Sequence, residues 1–374
     1  LDFHKGSKFS CSKCGRGNLS VHDTVVKRWR HLNFFQHKAF LEARVPRSAC
    51  PDCGVRQVHV PWSRPGSGFT LLFELHVLRL AKDTPVSTIS SYFEEHDTRL
   101  WRLIRHYVDH ARSKLDLSSV TRVGVDETSS KKGHKYVTVF VDLDSSQVLF
   151  ATKGKGSDTI KEFKQFLVKR DIDPENISEI CSDMSSAFIS GVEKNFPEAN
   201  ITFDKFHISK KLNEAVDQVR REESDTEKIL KNTRYLWLKN FENLTEKQKS
   251  ALNKVSFAKK NLKTARAYRI KLVFQELYQE AADSAEPFLK RWYFWATHSR
   301  LEPIKNFARL VKAHWEGVLR WFETKVSNGI LEGLNSVIQN AKRRSRGFRN
   351  TDNLITMIYL ISGKYDWISL THLN

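Results

Sequence analysis

The chain has 374 residues, a formal net charge of +19 and a pI near 9.7. Its length exceeds one ordinary core and predicts two or three domains, and its charge, with Lys and Arg spread from Lys27 to Arg349, points to a polyanionic partner, above all nucleic acid. The longest apolar runs fall far short of the roughly 20 residues of a membrane-spanning helix, the polar stretch from Leu1 to Ser10 does not read as a secretory signal, and five cysteines make no secreted disulfide framework, so a soluble, cytoplasmic chain is expected.

The first segment, residues 1–68, carries two C-x-x-C pairs, Cys11/Cys14 and Cys50/Cys53. Four thiolates on two knuckles close a tetrahedral Zn²⁺ site and leave no position for water, so the predicted metal is structural. Each pair is followed by a glycine, Gly15 or Gly54, which suits a knuckle turn. Between the pairs, "KRWRHLNFFQHKAFLEAR" interleaves cations with aromatics. Arg28 and Arg30 are candidates for DNA contact, although the small core of a ribbon also needs aromatics. "PWSRPGSG" reads as a linker.

Residues 69–116 turn helical, with apolar residues three and four apart and breaks near Asp83-Thr84-Pro85 and His96-Asp97. Three short helices are predicted. "TPVSTISSYFEEHDTRLWRLIRHYV" suits a helix-turn-helix, with Thr84 or Ser87 capping one helix and Asp97 or Thr98 the next, on which Arg99, Arg102 and Arg105 would face DNA. Plain three-helix packing explains the same pattern.

From Val120 the period becomes that of strands. "VTRVGVD", "KYVTVFVDL" and "QVLFATK" predict an antiparallel meander. A helix from Ser157, the strand "ISEICSD", the helix "SSAFISGVEKNF", the strand "NITFD" and the helix "KFHISKKLNEAVDQVRR" follow. The order β-β-β-α-β-α-β-α over residues 117–223 is that of an α/β RNase H-like domain with a mixed five-stranded sheet. Residues 224–325 show no strand pattern and predict an α-helical insertion, after which residues 326–374 return to the α/β core as its C-terminal helices. Cys181 fits a small core residue on a strand.

Two acids stand at matching places. Asp126 ends "TRVGVD" on the face opposite Val123 and Val125, and Asp183 ends "ISEICSD". With adjacent parallel strands both would occupy the crevice at the strands' carboxyl ends, where two carboxylates repel unless a cation intervenes. Each alone also suits a helix cap or turn. The third acid is Glu332, in "SNGILEGLNSVIQNAKRRSRGF". At about 100° per residue, Ile330, Leu331, Leu334, Val337, Ile338 and Ala341 share one stripe, with Asn328, Glu332, Asn335, Gln339 and Arg343 opposite. That polar face ends in Lys342, Arg343, Arg344 and Arg346, suited to DNA phosphates. Read alone, Glu332 is an ordinary surface glutamate. Together, three such acids can hold two Mg²⁺ (or Mn²⁺) ions roughly 3.5–4 Å apart for phosphodiester chemistry.

"CSKCG...CPDCG", the helical stretch, "VGVDETS", "CSDMSSAF" and the glutamate motif, in this order, resemble the ISL3 family of DDE transposases from bacterial insertion sequences, along nearly the whole chain. The resemblance implies a zinc ribbon and a helix-turn-helix in front of an RNase H-like catalytic domain, with Asp126, Asp183 and Glu332 as its metal-binding triad. It further implies binding of double-stranded DNA at terminal inverted repeats, metal-dependent strand cleavage, and strand transfer to target DNA by a homodimer on the bacterial nucleoid. "FDKFHISK" is similar to the family's stretch after the fifth strand, and there His207 would touch the scissile phosphate or assist proton transfer, or else serve as a structural histidine. Glu127 should project to the other side of its strand. Trp237, Trp292, Trp295, Trp315 and Trp321 suit a helical core or, alternatively, stacking on a flipped base. A structure-selective RNase H-like nuclease and a transposase-derived DNA-binding regulator without catalysis are the alternatives.

Overall fold

A computed structural model describes residues 1–131, 133–258, 261–326 and 329–365. The chain divides into two compact units, one formed by Leu1–Asp116 with the segment from Ser336 onward, the other by Leu117–Asn335.

The first unit opens with an antiparallel sheet of β1 (Val21–Arg30), β2 (Phe40–Cys50) and β3 (Gly54–Gln57). Trp29, Ala43, Val45 and Val58 form its small core, against which Phe9 and Trp62 pack, so part of the aromatic content serves folding. Next come α1 (Leu71–Asp83), α2 (Val86–Phe93) and α3 (Asp97–Ser113), the three expected helices. Their caps differ from those expected. Pro85, not Thr84 or Ser87, occupies the position before α2, and the His96 ring accepts from the Thr98 N–H at the start of α3.

The stretch read as a linker is packed. Glu74 of α1 is fully buried and accepts from Arg64 Nε at 3.0 Å, Ser67 Oγ at 2.5 Å and the Tyr107 hydroxyl at 2.6 Å. A buried carboxylate demands such partners, and here two of them come from the Pro/Gly/Ser segment. Arg30, proposed for DNA, is likewise buried at 1% exposure. It donates to the carbonyls of His31, Ala39 and Phe93 and to Asn33, and pairs with Glu95 at 3.5 Å, so it joins the ribbon to the helices and has no face for phosphate.

In the second unit β4 (Arg122–Lys131), β5 (Lys135–Asp142) and β6 (Val148–Lys153) pair antiparallel, while β7 (Glu179–Ser182) and β8 (Asn200–Phe203) add on parallel, giving the order β6-β5-β4-β7-β8. The crossovers are α4 (Ser157–Val168) and α5 (Ser186–Asn195). Phe140 of β5 stacks on Phe163 of α4 at 4.3 Å, and every residue of β7 is buried, as expected of a central parallel strand covered on both faces.

After α6 (Lys205–Ser224) the insertion consists of α7 (Arg234–Leu238), α8 (Glu246–Ala258), α9 (Lys263–Glu276), α10 (Ala282–Thr297), α11 (Glu302–Ala313) and α12 (Trp315–Thr324). Its core is continuous with the inner face of α6, where Ile208, Leu212 and Val216 meet the cluster containing Trp237, Phe274, Trp292 and Phe307. Trp237, Trp292 and Trp321 are buried. That settles those three as core, whereas Trp295 is 41% exposed. The helix α13 (Gly329–Arg344) and α14 (Thr351–Ser362) follow, and α13 starts in the second unit and ends in the first.

Candidate active site

Asp126 is not at the end of its strand, because β4 runs on to Lys131 in the hairpin with β5. The end that matters is that of the parallel pairing. The β4–β7 register stops at Gly124 opposite Cys181, which leaves Asp126 two residues past it and Asp183 one residue past Ser182, the last residue of β7. Both carboxylates therefore stand at the carboxyl edge of adjacent strands. A cavity of about 580 Å³ opens there, lined by Asp126, Glu127, Asp183 and His207 with Lys210 and Lys211 of α6.

Each acid is held locally. Asp126 Oδ1 accepts from the Glu127 N–H at 2.8 Å, and its Oδ2 accepts from Asn335 Nδ2 of α13 at 2.6 Å. Asp183 Oδ1 accepts from the Ser185 N–H at 3.0 Å, at the start of α5. Glu332 lies in the first turn of α13, half-buried, and its Oε1 is buried with no hydrogen-bond donor among the described residues. Asn335 is three residues further on, so the two share a helix face. The apolar stripe of α13 is narrower than the wheel gives: Leu331, Ile338 and Ala341 are buried, but Val337 is 45% exposed. Asn328 lies outside the described residues.

The electrostatics describe one acidic cluster. Burial pushes the Asp126 carboxyl above its ordinary range, and the charges of Asp183 and Asp204 push the same way against His207 and the Glu127 N–H. Burial likewise raises Glu332, reinforced by Asp204 and Asp126 and opposed by His207. Glu127, expected on the far side of the strand, lines the same cavity and is raised by burial, then by Asp183 and Asp126.

Asp204, which the sequence reading passed over, is 2% exposed and follows β8 as Asp183 follows β7. The pair Ser182 and Phe203 sets the two acids side by side, and the Asp204 N–H reaches the Ser182 carbonyl at 3.2 Å. The strand-end rule that singled out Asp126 and Asp183 also identifies it, inside the quoted "FDKFHISK". His207, one turn into α6, has Nε2 4.0 Å from Asp204 Oδ2.

Hard carboxylate oxygens whose charges help to raise Asp126 and Glu332, with Glu332 Oε1 lacking a donor among the described residues, are a donor set that fits a divalent cation such as Mg²⁺. They are less tightly gathered than the cysteines. Among the described residues, only Cys11, Cys14, Cys50 and Cys53 form a group of potential ligands whose atoms all lie within 4.8 Å of one another. Gly15 and Gly54 take positive φ of 76° and 73° in the knuckles, as expected. The N–H groups of Cys14 and Lys13 lower the Cys11 thiol to about 6, while hydrogen bonding with Cys14 and burial push Cys53 to about 12. Four thiolates at this spacing need a soft cation, and a closed tetrathiolate fits a structural Zn²⁺.

Of the arginines expected on DNA, Arg28 and Arg102 are exposed. Arg99 is engaged by Glu95 and lies 4.4 Å over the Phe69 ring, Arg105 donates to Asn353, and Arg344 donates to the carbonyls of Asp83 and Lys82. Arg343 and Arg346 are exposed at the end of α13 and just beyond it, where Lys342 is half-buried.

Comparison with known proteins agrees with this arrangement segment by segment. A family model described as transposase, of the DDE type in the ISL3 group, matches residues 123–358. The helix-turn-helix domain of transposase family ISL3 matches residues 58–108, and the zinc-finger of transposases IS204/IS1001/IS1096/IS1165 matches residues 7–53. The chain is 28% identical to the transposase for insertion sequence element IS1001 of Bordetella parapertussis, over 91% of this chain and 86% of that one. It is also 28% identical to the transposase for insertion sequence element IS1557 of Mycobacterium tuberculosis, over 94% of this chain and 85% of the relative.

Proposed function

Since the chain belongs to the ISL3 family of DDE transposases, we propose that it binds the terminal inverted repeats of an insertion sequence, cuts the strands at their ends and joins the freed 3′-hydroxyl to target DNA. The observation that carries this is the double engagement of Asp126, which feels the charge of Asp183 across the sheet and accepts a hydrogen bond from Asn335, one turn from Glu332.

Asp126, Asp183 and Glu332 would hold two Mg²⁺ (or Mn²⁺) ions, which when bound supply an activated oxygen nucleophile and charge stabilisation of the leaving oxygen. Asp126 and Asp183 present their oxygens from a rigid sheet edge, and Glu332 closes the set from α13. Lys210 and Lys211, on the rim of the cavity, hold the phosphate backbone. His207, which lines the cavity and has Asp204 at 4.0 Å, would donate to the scissile phosphate or pass a proton. Arg28 and Arg102 of the front modules and Lys342, Arg343 and Arg346 after the catalytic glutamate add phosphate contacts. Two ends must be held at once, so the active species is a homodimer, working on nucleoid DNA in the bacterial cytoplasm.

An end-labelled inverted-repeat duplex incubated with Mg²⁺ tests the reading. Cleavage with joining is expected, and both should vanish in Asp183→Ala and Glu332→Ala. Cleavage without joining would make the chain a structure-selective nuclease, binding without cleavage a regulator, and full activity in either variant would remove the triad.

A further inference from the structure

The hairpin between β1 and β2 ends in a tight turn in which the Phe34 N–H donates to the His37 carbonyl at 2.9 Å and the His37 N–H donates back at 3.0 Å. Two phenylalanines sit at its tip. Phe34 is 69% and Phe35 82% exposed, and their rings meet edge to face at 4.7 Å. Phe35 also holds φ at +53°, the left-handed region, at a turn position that glycine fills with less strain. Neither folding nor solubility gains from this choice, since rings this exposed bury little and a bulky side chain strains the turn. An exposed pair of this kind marks a contact surface.

The charge around the pair selects the partner. From Leu1 to Gln57 the chain has eleven Lys and Arg against four Asp and Glu, and Lys27 and Arg28 on β1 face solvent. A patch that is apolar at its tip and cationic behind it matches a DNA duplex, in which phosphates flank a stack of flat apolar faces. A protein partner offers no reason for that surplus. We propose that the Phe34–Phe35 tip is a wedge that enters the base stack of the bound duplex, while Lys27 and Arg28 of β1 hold the flanking phosphates. Apolar wedges of this type open a base step and kink the helix. This rests on the DNA-binding role proposed above and deepens it: the ribbon distorts the duplex as well as holding it.

A wedge prefers DNA whose unstacking cost is already met. The test uses the full-length, zinc-loaded chain and two probes of about 30 bp, one perfectly paired and one with two adjacent central mismatches, compared by fluorescence anisotropy across a salt series. The wild type should favour the mismatched probe by about tenfold. Phe35→Gly should fold at least as well, because glycine relieves the turn, yet lose most of that preference with an unchanged salt slope. Lys27→Ala/Arg28→Ala should weaken both probes alike and flatten the slope. Retention of the mismatch preference in both Phe35→Gly and Phe34→Ala/Phe35→Ala would overturn the wedge, as would a change confined to oligomeric state with DNA affinity intact. If the wild type bound neither probe, the DNA-binding role itself would fall and the wedge with it.

Discussion

Asn335→Ala is the substitution that most directly probes how the site is assembled. Its amide donates to Asp126 Oδ2 at 2.6 Å across 209 residues of chain, tying the start of α13 to β4. A hydrogen bond to a charged acceptor contributes about 1.5–3 kcal/mol, and at roughly 2–4 °C per kcal/mol for a unit of this size its loss should lower the melting temperature by roughly 3–12 °C. The catalytic loss should be larger in relative terms. Glu332 is one turn earlier on the same face, and a misplacement of about 1 Å in a reacting geometry costs on the order of 10²-fold in rate. Thermal unfolding followed by circular dichroism gives the first number, and nicking of a labelled transposon end under single-turnover conditions gives the second. Combining the variant with Asp126→Ala, which removes the acceptor, isolates the coupling, since the effect of the pair should be at least about 1 kcal/mol less destabilising than the sum of the two single effects. If Asn335→Ala cleaved within about twofold of wild type, the bond would have no part in placing Glu332, and the helix would need another anchor.

Three further outcomes follow from the same structure. Asp126 and Glu332 have folded pKa values raised above the ordinary 3.8 and 4.5, so without divalent cations the wild type should gain stability from them as pH falls from neutral through those raised values towards the ordinary ones. Asp126→Asn should melt higher than wild type at neutral pH and lose that advantage in acid, and it should forfeit the roughly 2.7 kcal/mol that Mg²⁺ at a hundredfold excess over Kd confers; a variant melting below wild type at every pH would contradict this. Elemental analysis should find one zinc per chain from the Cys11, Cys14, Cys50 and Cys53 cluster, absent in Cys50→Ser together with the ribbon's DNA affinity. Gly317→Ala would place a methyl 2.4 Å from Phe203 Cε2 and 3.0 Å from the Ile201 carbonyl, and the overpacking should cost about 1–3 kcal/mol in urea unfolding.

The elements most legible in the sequence are those whose period is set by local burial. Val123 and Val125 are buried on one face of β4, alternating with Gly124 and Asp126, and the strand order followed from the alternation and the helical crossovers. Burial of charge was illegible for the opposite reason. Nothing near Arg30 announces that Phe93 and Glu95 will receive its guanidinium, and nothing near Glu74 announces Tyr107. Such residues are inside because partners far along the chain make them affordable, and composition alone places them on the surface. Asp126 looked like a strand end because the pattern "TRVGVD" stops being apolar, yet the hairpin with β5 continues past it. Asn335 left no trace at all, being one polar residue among several on a polar face.

The wide separation of Asp183 and Glu332 in sequence is itself resolved by the insertion. The core of α7 to α12 incorporates Phe203 at the end of β8 and Ile208 of α6, so the inserted helices extend the hydrophobic layer of the catalytic unit. The chain leaves them along α12, whose Gly317 lets the helix settle directly on Phe203 and the backbone of β8. The strand on which α12 rests, β8, lies two strand spacings, about 10 Å, from β4 with its Asp126. The packing of α12 on β8 fixes where the chain leaves the inserted helices, so Gly317, a residue with no side chain, bears on where α13 and its Glu332 follow.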